Sequence, residues 1–430
     1  MTFTFAGGVH PREEKKTEGS PIDVVPPPQV VYLHLSQHTG KPAKPLVEKG
    51  TEVRLGQKIG EAQGFISATV HAPVSGKVKS IAIQPHPVLG DGLAVEIEND
   101  GQDTWFQEIT PRNYDNLTNE EIIKLVGEAG IVGLGGAAFP SHVKLSPPKE
   151  KVIEILILNG CECEPYLTCD HRVMLEFPDE VIQGGEIIAR VVGAKRLIIA
   201  IEDNKPDAIK LLKGKSDSFE VVRVKTKYPE GAEKQLIAAL TKREVPSGGL
   251  PMDVGCLVHN VGTAKAVYQA VRYQKPLIDR VITVTGSNIK EPKNLLVRIG
   301  TPARELIDHC GGYIKPSTKI IFGGPMMGIA QYTDQVPVIK GTSGIIAPDP
   351  DIEPEEPGPC LRCGRCVDVC PMGLCPCIIV DYVDNLMFDD AKTLGILDCI
   401  ECGCCSYICP VRRRLVHNLK FGKAELWQKK

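Results

Sequence analysis

"CLRCGRCVDVCP" spans Cys360–Pro371, and "CIECGCCSYICP" spans Cys399–Pro410. Both read C-x2-C-x2-C-x3-C-P. Three thiolates at steps of three in a tight loop can hold three corners of one iron–sulfur cube. The fourth cannot easily bend back to that cube, and in two-cluster ferredoxins it ligates the other one. The expected ligand sets are therefore Cys360, Cys363, Cys366 with Cys409, and Cys399, Cys402, Cys405 with Cys370. Each copy needs the other, so the phrase is written twice. Zinc fits poorly, because its sites use four ligands in pairs rather than two triplets with a remote fourth. Cys404 breaks the step of three and is left out. Cys375 and Cys377, in "GLCPCIIV", read as small buried residues.

The acidic, proline-rich "PDPDIEPEEPGP" at 348–359 reads as a linker that sets the cysteine module, 360–411, apart from what precedes it. After it comes a basic tail, 412–430. There Leu415, Leu419 and Leu426 share a helix side, with Val416 and Trp427 beside them. Gly422 interrupts that stripe and is a candidate end for a first short helix, and Phe421 points away from it. Arg412, Arg413, Arg414, Lys420, Lys423, Lys429 and Lys430 face one acid in the segment, Glu425. Two readings are open for the tail: a helix folded onto the cysteine module, and a docking element for an anionic or membrane partner.

The whole chain has 430 residues, 24% charged and 42% hydrophobic, with net charge −3. That is a soluble multidomain composition, with no bias toward nucleic acid. No apolar run approaches the roughly 18 residues of a membrane span, and the first residues lack the apolar core of a signal peptide. A cytoplasmic or cytoplasm-facing location is expected. In that setting sixteen cysteines point to metal or redox chemistry rather than disulfides.

Within the segment 1–110, residues from about Val30 to Glu98 read as short strands with turns. "VEKGTEVRLGQKIGEA" and "ATVHAPVSGKVKSI" look like the halves of a biotinyl- or lipoyl-type barrel sandwich. The hairpin between them, "EAQGFISATV", has no lysine, so a swinging-arm carrier is not expected and the fold reads as an interaction surface. In the segment 111–275, Thr118 and Glu121 form a capping-box signature. The helix they open runs into Gly133, Gly135 and Gly136, where bare backbone could approach a phosphate or flavin. "KVIEILILNG" is a buried parallel-type strand. Ligands bind off the carboxyl ends of such strands, where Asn159, Glu162 and Glu164 offer acceptors. A metal site from Cys161, Cys163, Cys169 and His171 is disfavoured by its cramped C-x-C spacing. "VHNVGTAKAV" is a second loop-to-helix start, whose Asn260 and Thr263 could meet a phosphate or cap the helix. Residues 276–347 read as hairpin, turn and helix, a small β-grasp unit of the soluble-ligand-binding type. They include the glycine turn "IIFGGPMMG".

"TFAGGVHP", "LSQHTG", "GLGGAAFP", "ECEPYLTCDHR", "YPEGAEKQLI", "FGGPMMG", the cysteine pair and "RRLVHNLKFGKAEL" together resemble the C subunit of the Rnf complex, over nearly the whole chain. That resemblance implies a peripheral, cytoplasm-facing, NADH-reacting part of a membrane assembly that couples ferredoxin:NAD+ oxidoreduction to Na+ or H+ transport. Its implied partners are a ferredoxin-reacting iron–sulfur subunit and integral membrane subunits. The middle of the chain is also similar to the NADH-oxidising flavoprotein subunit of respiratory complex I. By that similarity Gly133, Gly135, Gly136, Ala137, Lys144, Asn159, Glu162, Asn260 and Thr263 would line FMN. Phe139 and Glu164 would face the nicotinamide nucleotide. Leu134 and Cys161 depart from the pattern, standing where that relative has arginine and aspartate.

The expected architecture is thus α/β multidomain. It has a barrel-sandwich β domain, a Rossmann-like flavin/NADH domain, a β-grasp domain and a two-cluster ferredoxin-like α domain. FMN would convert hydride, a two-electron unit, into the single electrons that two [4Fe–4S] clusters accept. Two alternatives use the same modules. One is a soluble reductase subunit for another acceptor, such as a cobalamin reductase or a proline reductase partner. The other is an iron–sulfur relay that binds no nucleotide. Gene neighbours separate the first, and bound flavin separates the second.

Overall fold

The computed structural model describes residues 3–215, 218–316, 319–351 and 356–428. Part of the acidic linker, 352–355, and the tail's Lys429 and Lys430 lie outside the described residues.

Four short parallel strands organise the middle of the chain. In space they run Glu220–Val224, Arg196–Glu202, Ile155–Gly160, Cys256–Asn260. In chain order that is 3-2-1-4, so the order reverses between Ile155–Gly160 and Cys256–Asn260. A crevice opens at the carboxyl ends of strands at such a reversal. Ile155, Leu156, Ile157 and Leu158 are all buried, as a strand covered on both faces requires. The helices Pro178–Val192 and Val261–Tyr273 pack on one face, with Gly184 against the backbone of Ala264. A Cβ on Gly184 would come 1.9 Å from that carbonyl oxygen, so only glycine permits the crossing.

Before this unit stands the barrel sandwich. Its larger sheet has the order Val30–His34, Gly90–Asn99, Gly76–His86, Glu52–Val53, and its smaller one Lys44–Pro45, Lys58–Glu61, Val70–His71. After it comes a six-stranded mixed sheet in which Asp279–Thr285 and Lys293–Arg298 form the hairpin and Ala303–His309 the helix. The barrel's lysine-free loop contacts this same chain: the Phe65 carbonyl lies 3.0 Å from His142 Nε2. Lys340, fully buried, ties three units together. Its Nζ donates to Thr69 O at 2.7 Å in the barrel and to Gly130 O at 2.8 Å in the α/β unit, while it belongs to the third. Burial pulls its ammonium down to about 7.

Residues 3–24 do not join the barrel. Phe3 bridges to Val224, Val9 bridges to Tyr228, and Ile22–Val24 adds a parallel strand to Lys293–Arg298. Between these seats, Gly8 N–H donates to Val369 O at 2.8 Å in the cysteine module.

The cysteine module is helical, and the tail belongs to it. Leu415–Gln428 is one uninterrupted helix, with Leu415, Leu419 and Leu426 in a core with Ile379, Val380, Val383 and Ile396. Gly422 therefore does not end a helix. It is a close-packing point, where a Cβ would sit 2.6 Å from Val383 Cγ2. The tail's charges also have more partners than Glu425. Arg413 pairs with Asp381 and Asp384, and Lys423 pairs with Glu401 at 2.6 Å. Phe421 does lie off the stripe, edge-to-face with Phe388.

Candidate functional site

The glycine loop sits at the point where the strand order reverses. The capping box of Thr118 and Glu121 forms as expected and starts the helix Asn119–Glu128. The chain then enters a loop closed by Gly133 N–H on Phe139 O at 2.9 Å. Leu134 pins it: its N–H donates to Thr263 Oγ1 at 2.9 Å, and its carbonyl accepts from buried Arg280. Between these ties Gly135, Gly136 and Ala137 are exposed, and Phe139 is half-buried beside them. Gly136 has φ of 126°, a conformation that favours glycine, and its side-chain direction is open space. A Cβ on Gly135 would lie 3.2 Å from Asn260 Cβ.

Asn260 caps the helix Val261–Tyr273, accepting from Gly262 N–H at 2.8 Å and Thr263 N–H at 3.3 Å. Its Nδ2 donates to Asp170 Oδ2 at 2.6 Å. Asp170 is pushed up to about 7, by burial first and then by the Glu162 carboxylate. Glu162 accepts from Asp170 N–H and His171 N–H at the start of Cys169–Glu176. Its carboxylate is thus engaged with a helix start, not held free. Asn159 is likewise used within the chain, donating to Gly231 O and accepting from Cys161 N–H. Lys144 pairs with Glu233 at 2.8 Å and donates to Val258 O. These contacts bring Gly133, Phe139, Gly135, Asn260, Thr263, Asp170 and Glu162 together in one chain of neighbours, with Lys144 bonded to Val258 and Asn159 to Gly231 on the adjoining strands.

Sequence reasoning missed Asp170, Gly231 and Glu233. The last two stand in "YPEGAEKQLI", a stretch singled out without a role for its residues. Cys161, Cys163, Cys169 and His171 do not read as a metal set: His171 Nε2 is 2.8 Å from Asp207 Oδ1, and the Cys161 thiol points to Ala200 O.

Glu164 lies apart from the loop. Its carboxylate accepts from Met326 N–H at 3.0 Å and Met327 N–H at 2.9 Å, holding the glycine turn of the third unit. Burial raises it to about 7. Met326 in turn abuts Gly403, where a Cβ would be 2.9 Å from its carbonyl oxygen. Nearby, Tyr228 donates its hydroxyl to Cys402 O at 2.8 Å. The second cysteine copy is therefore seated on the α/β unit and on the turn that Glu164 holds.

The cysteines form two groups. Cys360, Cys363, Cys366 and Cys409 line one small cavity of about 20 Å³. Cys377 lines it too and is only half-buried, so it is not the small core residue expected; Cys375 is also half-buried. Cys370 stands with Cys399, Cys402 and Cys405, close enough to act on their thiols electrostatically. In both copies the residue two past the first cysteine donates its N–H to that sulfur at 3.4 Å, Arg362 to Cys360 and Glu401 to Cys399. Cys404 is fully buried against Tyr228.

Residues 126–269 match the Nuo51 FMN-binding domain, residues 3–102 the RnfC barrel sandwich hybrid domain, and residues 281–330 the SLBB domain. The chain is 48% identical to the C subunit of the proton-translocating ferredoxin:NAD(+) oxidoreductase complex of Clostridium ljungdahlii, over 99% of this chain and 94% of that protein. It is 45% identical to the C subunit of the Na(+)-translocating ferredoxin:NAD(+) oxidoreductase complex of Acetobacterium woodii, over 98% and 97%. It is 42% identical to the C subunit of the ion-translocating oxidoreductase complex of Rhodobacter capsulatus, over 99% and 84%. Among solved structures, a chain of an NAD+-reducing [NiFe]-hydrogenase shares the fold. Its TM-score is 0.51 at 17% identity, over 73% of this chain and 62% of that one. No helix among the described residues is long and apolar enough to cross a membrane. Full-length identity and the matched domains lead to one assignment: the chain belongs to the family of C subunits of ion-translocating ferredoxin:NAD(+) oxidoreductase complexes.

Proposed function

We propose that this chain is the NAD(H)-reacting subunit of a membrane-bound, ion-translocating complex. It would sit peripherally on the cytoplasmic side and exchange electrons between NAD(H), FMN and two [4Fe–4S] clusters. Bound FMN supplies the exchange between a two-electron hydride and the single electrons a cluster accepts.

The residues fit these groups. Backbone at Gly135 and Gly136 is exposed beside Asn260, with Ala137 exposed after it, so a ring or phosphate could approach it closely. Gly133 and Thr263 fix the loop's ends, and Asn260 fixes the helix start beside it. Lys144 brings a cation to the adjoining strand, balanced by Glu233. Asn159 and Glu162 act as framing residues through their bonds to Gly231 and to the Cys169–Glu176 helix. Phe139 stands at the end of that loop, available to the nicotinamide nucleotide. Glu164 serves that side by positioning the Met326–Met327 turn. For the clusters, Cys360, Cys363, Cys366 and Cys409 would hold one. Cys399, Cys402, Cys405 and Cys370 would hold the other.

The observation that carries the reading is the Tyr228–Cys402 hydrogen bond. It seats a cysteine set directly on the α/β unit that carries the FMN-domain match. The test is cofactor analysis of anaerobically purified protein for iron, sulfide and flavin, followed by NADH addition under spectroscopic observation. About eight irons and one flavin per chain, with clusters reduced by NADH, are expected. Protein with iron but no flavin would leave only the relay.

A further inference from the structure

Each cysteine copy is followed by a helix that starts at the same distance past its fourth cysteine: Pro376–Asp384 after Cys370, and Leu415–Gln428 after Cys409. At the second position of these helices the copies differ. The first has Cys377 and the second has Val416. Cys377 lines the same cavity as Cys360, Cys363, Cys366 and Cys409. Its thiol and its backbone N–H both lie within hydrogen-bonding reach of the Cys366 sulfur. That N–H belongs to the first turn, where no carbonyl of the same helix can accept it. Val416 instead gives its N–H to Ser406 Oγ at 2.9 Å, and its side chain has nothing to donate.

The remaining polar groups near the cysteines do not separate the copies in this way. Arg362 and Glu401 make the same N–H bond to the first sulfur of each. Each copy also has one cation near that first cysteine, Arg413 by Cys360 and Lys423 by Cys399, and both cations are paired with acids. Cys404 lies against Cys402, but its thiol is directed at the Tyr228 carbonyl, 3.9 Å away.

We propose that Cys377 is a hydrogen-bond donor to the Cys366 sulfur, not a fifth ligand, and that it raises the reduction potential of the cluster held by the first copy. The proposal rests on the function proposed above. The four thiols of the motif already account for the four corners of a cube, which leaves Cys377 to act through a ligand. Reduction adds one electron to the cluster, and no bond forms or breaks. The ligand sulfurs are more electron-rich in that state, so a donor aimed at one of them favours it. The positive end of the Pro376–Asp384 helix acts in the same sense. An electron shared between the two clusters is thereby drawn toward the first.

The test is a redox titration of the anaerobically purified full chain, followed by electron paramagnetic resonance. The first-copy signal is the one that Cys363→Ser removes. Cys377→Ala deletes the thiol and keeps the backbone N–H, and Cys377→Ser keeps a side-chain donor. Cys375→Ala is the control, because Cys375 does not line the cavity. All three should keep the iron of the unmodified protein. In Cys377→Ala the first cluster should be harder to reduce. Its reduced-to-oxidised ratio at a fixed potential should fall about threefold to tenfold, the weight of one hydrogen bond, tenfold being about 59 mV for one electron. Cys377→Ser should restore most of that shift, and the second cluster should not move in any variant. An unchanged midpoint in Cys377→Ala would overturn the proposal. So would equal shifts in the alanine and serine variants, which altered packing alone would give. Loss of iron from Cys377→Ala would overturn it too, by making Cys377 a ligand. Unmodified protein that binds no iron would instead strike the function proposed above.

Discussion

The two cysteine copies share a backbone and differ in almost every side chain between the cysteines. Arg362 and Glu401 take φ of 54° and 59°, and the glycines that follow the second cysteine, Gly364 and Gly403, take 78° and 80°. Along that common path the first copy places Leu361, Arg362 and Arg365, all exposed. The second places Ile400, half-buried; Glu401, bonded to Lys423; and Cys404, fully buried under Tyr228. Cys404 thus occupies the position of Arg365. A small apolar side chain is what a loop pressed against a neighbouring unit can take there, and an arginine is what an open loop can carry. The shared cysteine spacing goes with a shared backbone, and the residues between the cysteines decide which way each loop faces.

The sharpest break of this comparison is to exchange the fourth ligands. Cys409→Ser is expected to remove the cluster of the first copy, and Cys370→Ser that of the second, with iron falling by about half in each. Electron paramagnetic resonance would identify which signal vanishes. Loss of the copy that contains the mutated residue would mean that each copy ligates its own cube. Next comes Gly135→Val, which puts a branched side chain against Asn260 in the crevice. Flavin content should drop at least severalfold while iron is kept, because the cysteine module does not share that loop.

Glu164→Gln probes the seat of the second copy through pH. The Glu164 carboxyl is raised from 4.5 to about 7 by burial. A raised carboxyl stabilises the fold fully below the unfolded value, and that contribution is lost as pH rises through 7. Wild-type stability should therefore fall between pH 5 and 8, by on the order of 1–3 kcal/mol from this group. The glutamine variant should lose this part of the slope in thermal melts, and an undiminished slope would assign it to other groups. Tyr228→Phe should then cost about 1–2 kcal/mol by leaving the Cys402 carbonyl without its donor. Stopped-flow reduction by NADH should show the flavin bleaching at its usual rate and the clusters lagging. The smallest effect is expected from Gly422→Ala, roughly 1 kcal/mol of denaturation stability. Crowding against Val383 and Ile396 outweighs the helix propensity gained. It should spare the flavin unit, which lies outside that core.

What the sequence made legible follows from how local each signal is. The cysteine spacing, the capping box and the buried strand before Asn159 depend on neighbours along the chain, and all three are recognisable in the fold. Partnerships across the chain were not legible. Glu164 finds its donors at Met326 and Met327, and Tyr228 reaches Cys402 across 174 positions. The tail misled for the same reason. Gly422 looks like a stop until Val383 is seen beside it, and Arg413 looks unopposed until Asp381 and Asp384 come from another helix.

The opening segment sets an order of events in the making of the protein. Gly8 takes its seat on Val369, and Gly7 lies so close that a Cβ would stand 2.9 Å from the Cys370 carbonyl. Synthesis runs from the first residue to the last, with early units folding as they emerge. Phe3 and Val9 can find Val224 and Tyr228 earlier, but Gly7 and Gly8 must wait for their seat until the cysteine module has been made. Closing that long a loop is slow, because its entropy is lost before the contact is gained. The bond from Gly8 to Val369 is thus a late event, a latch thrown once the cysteine module exists.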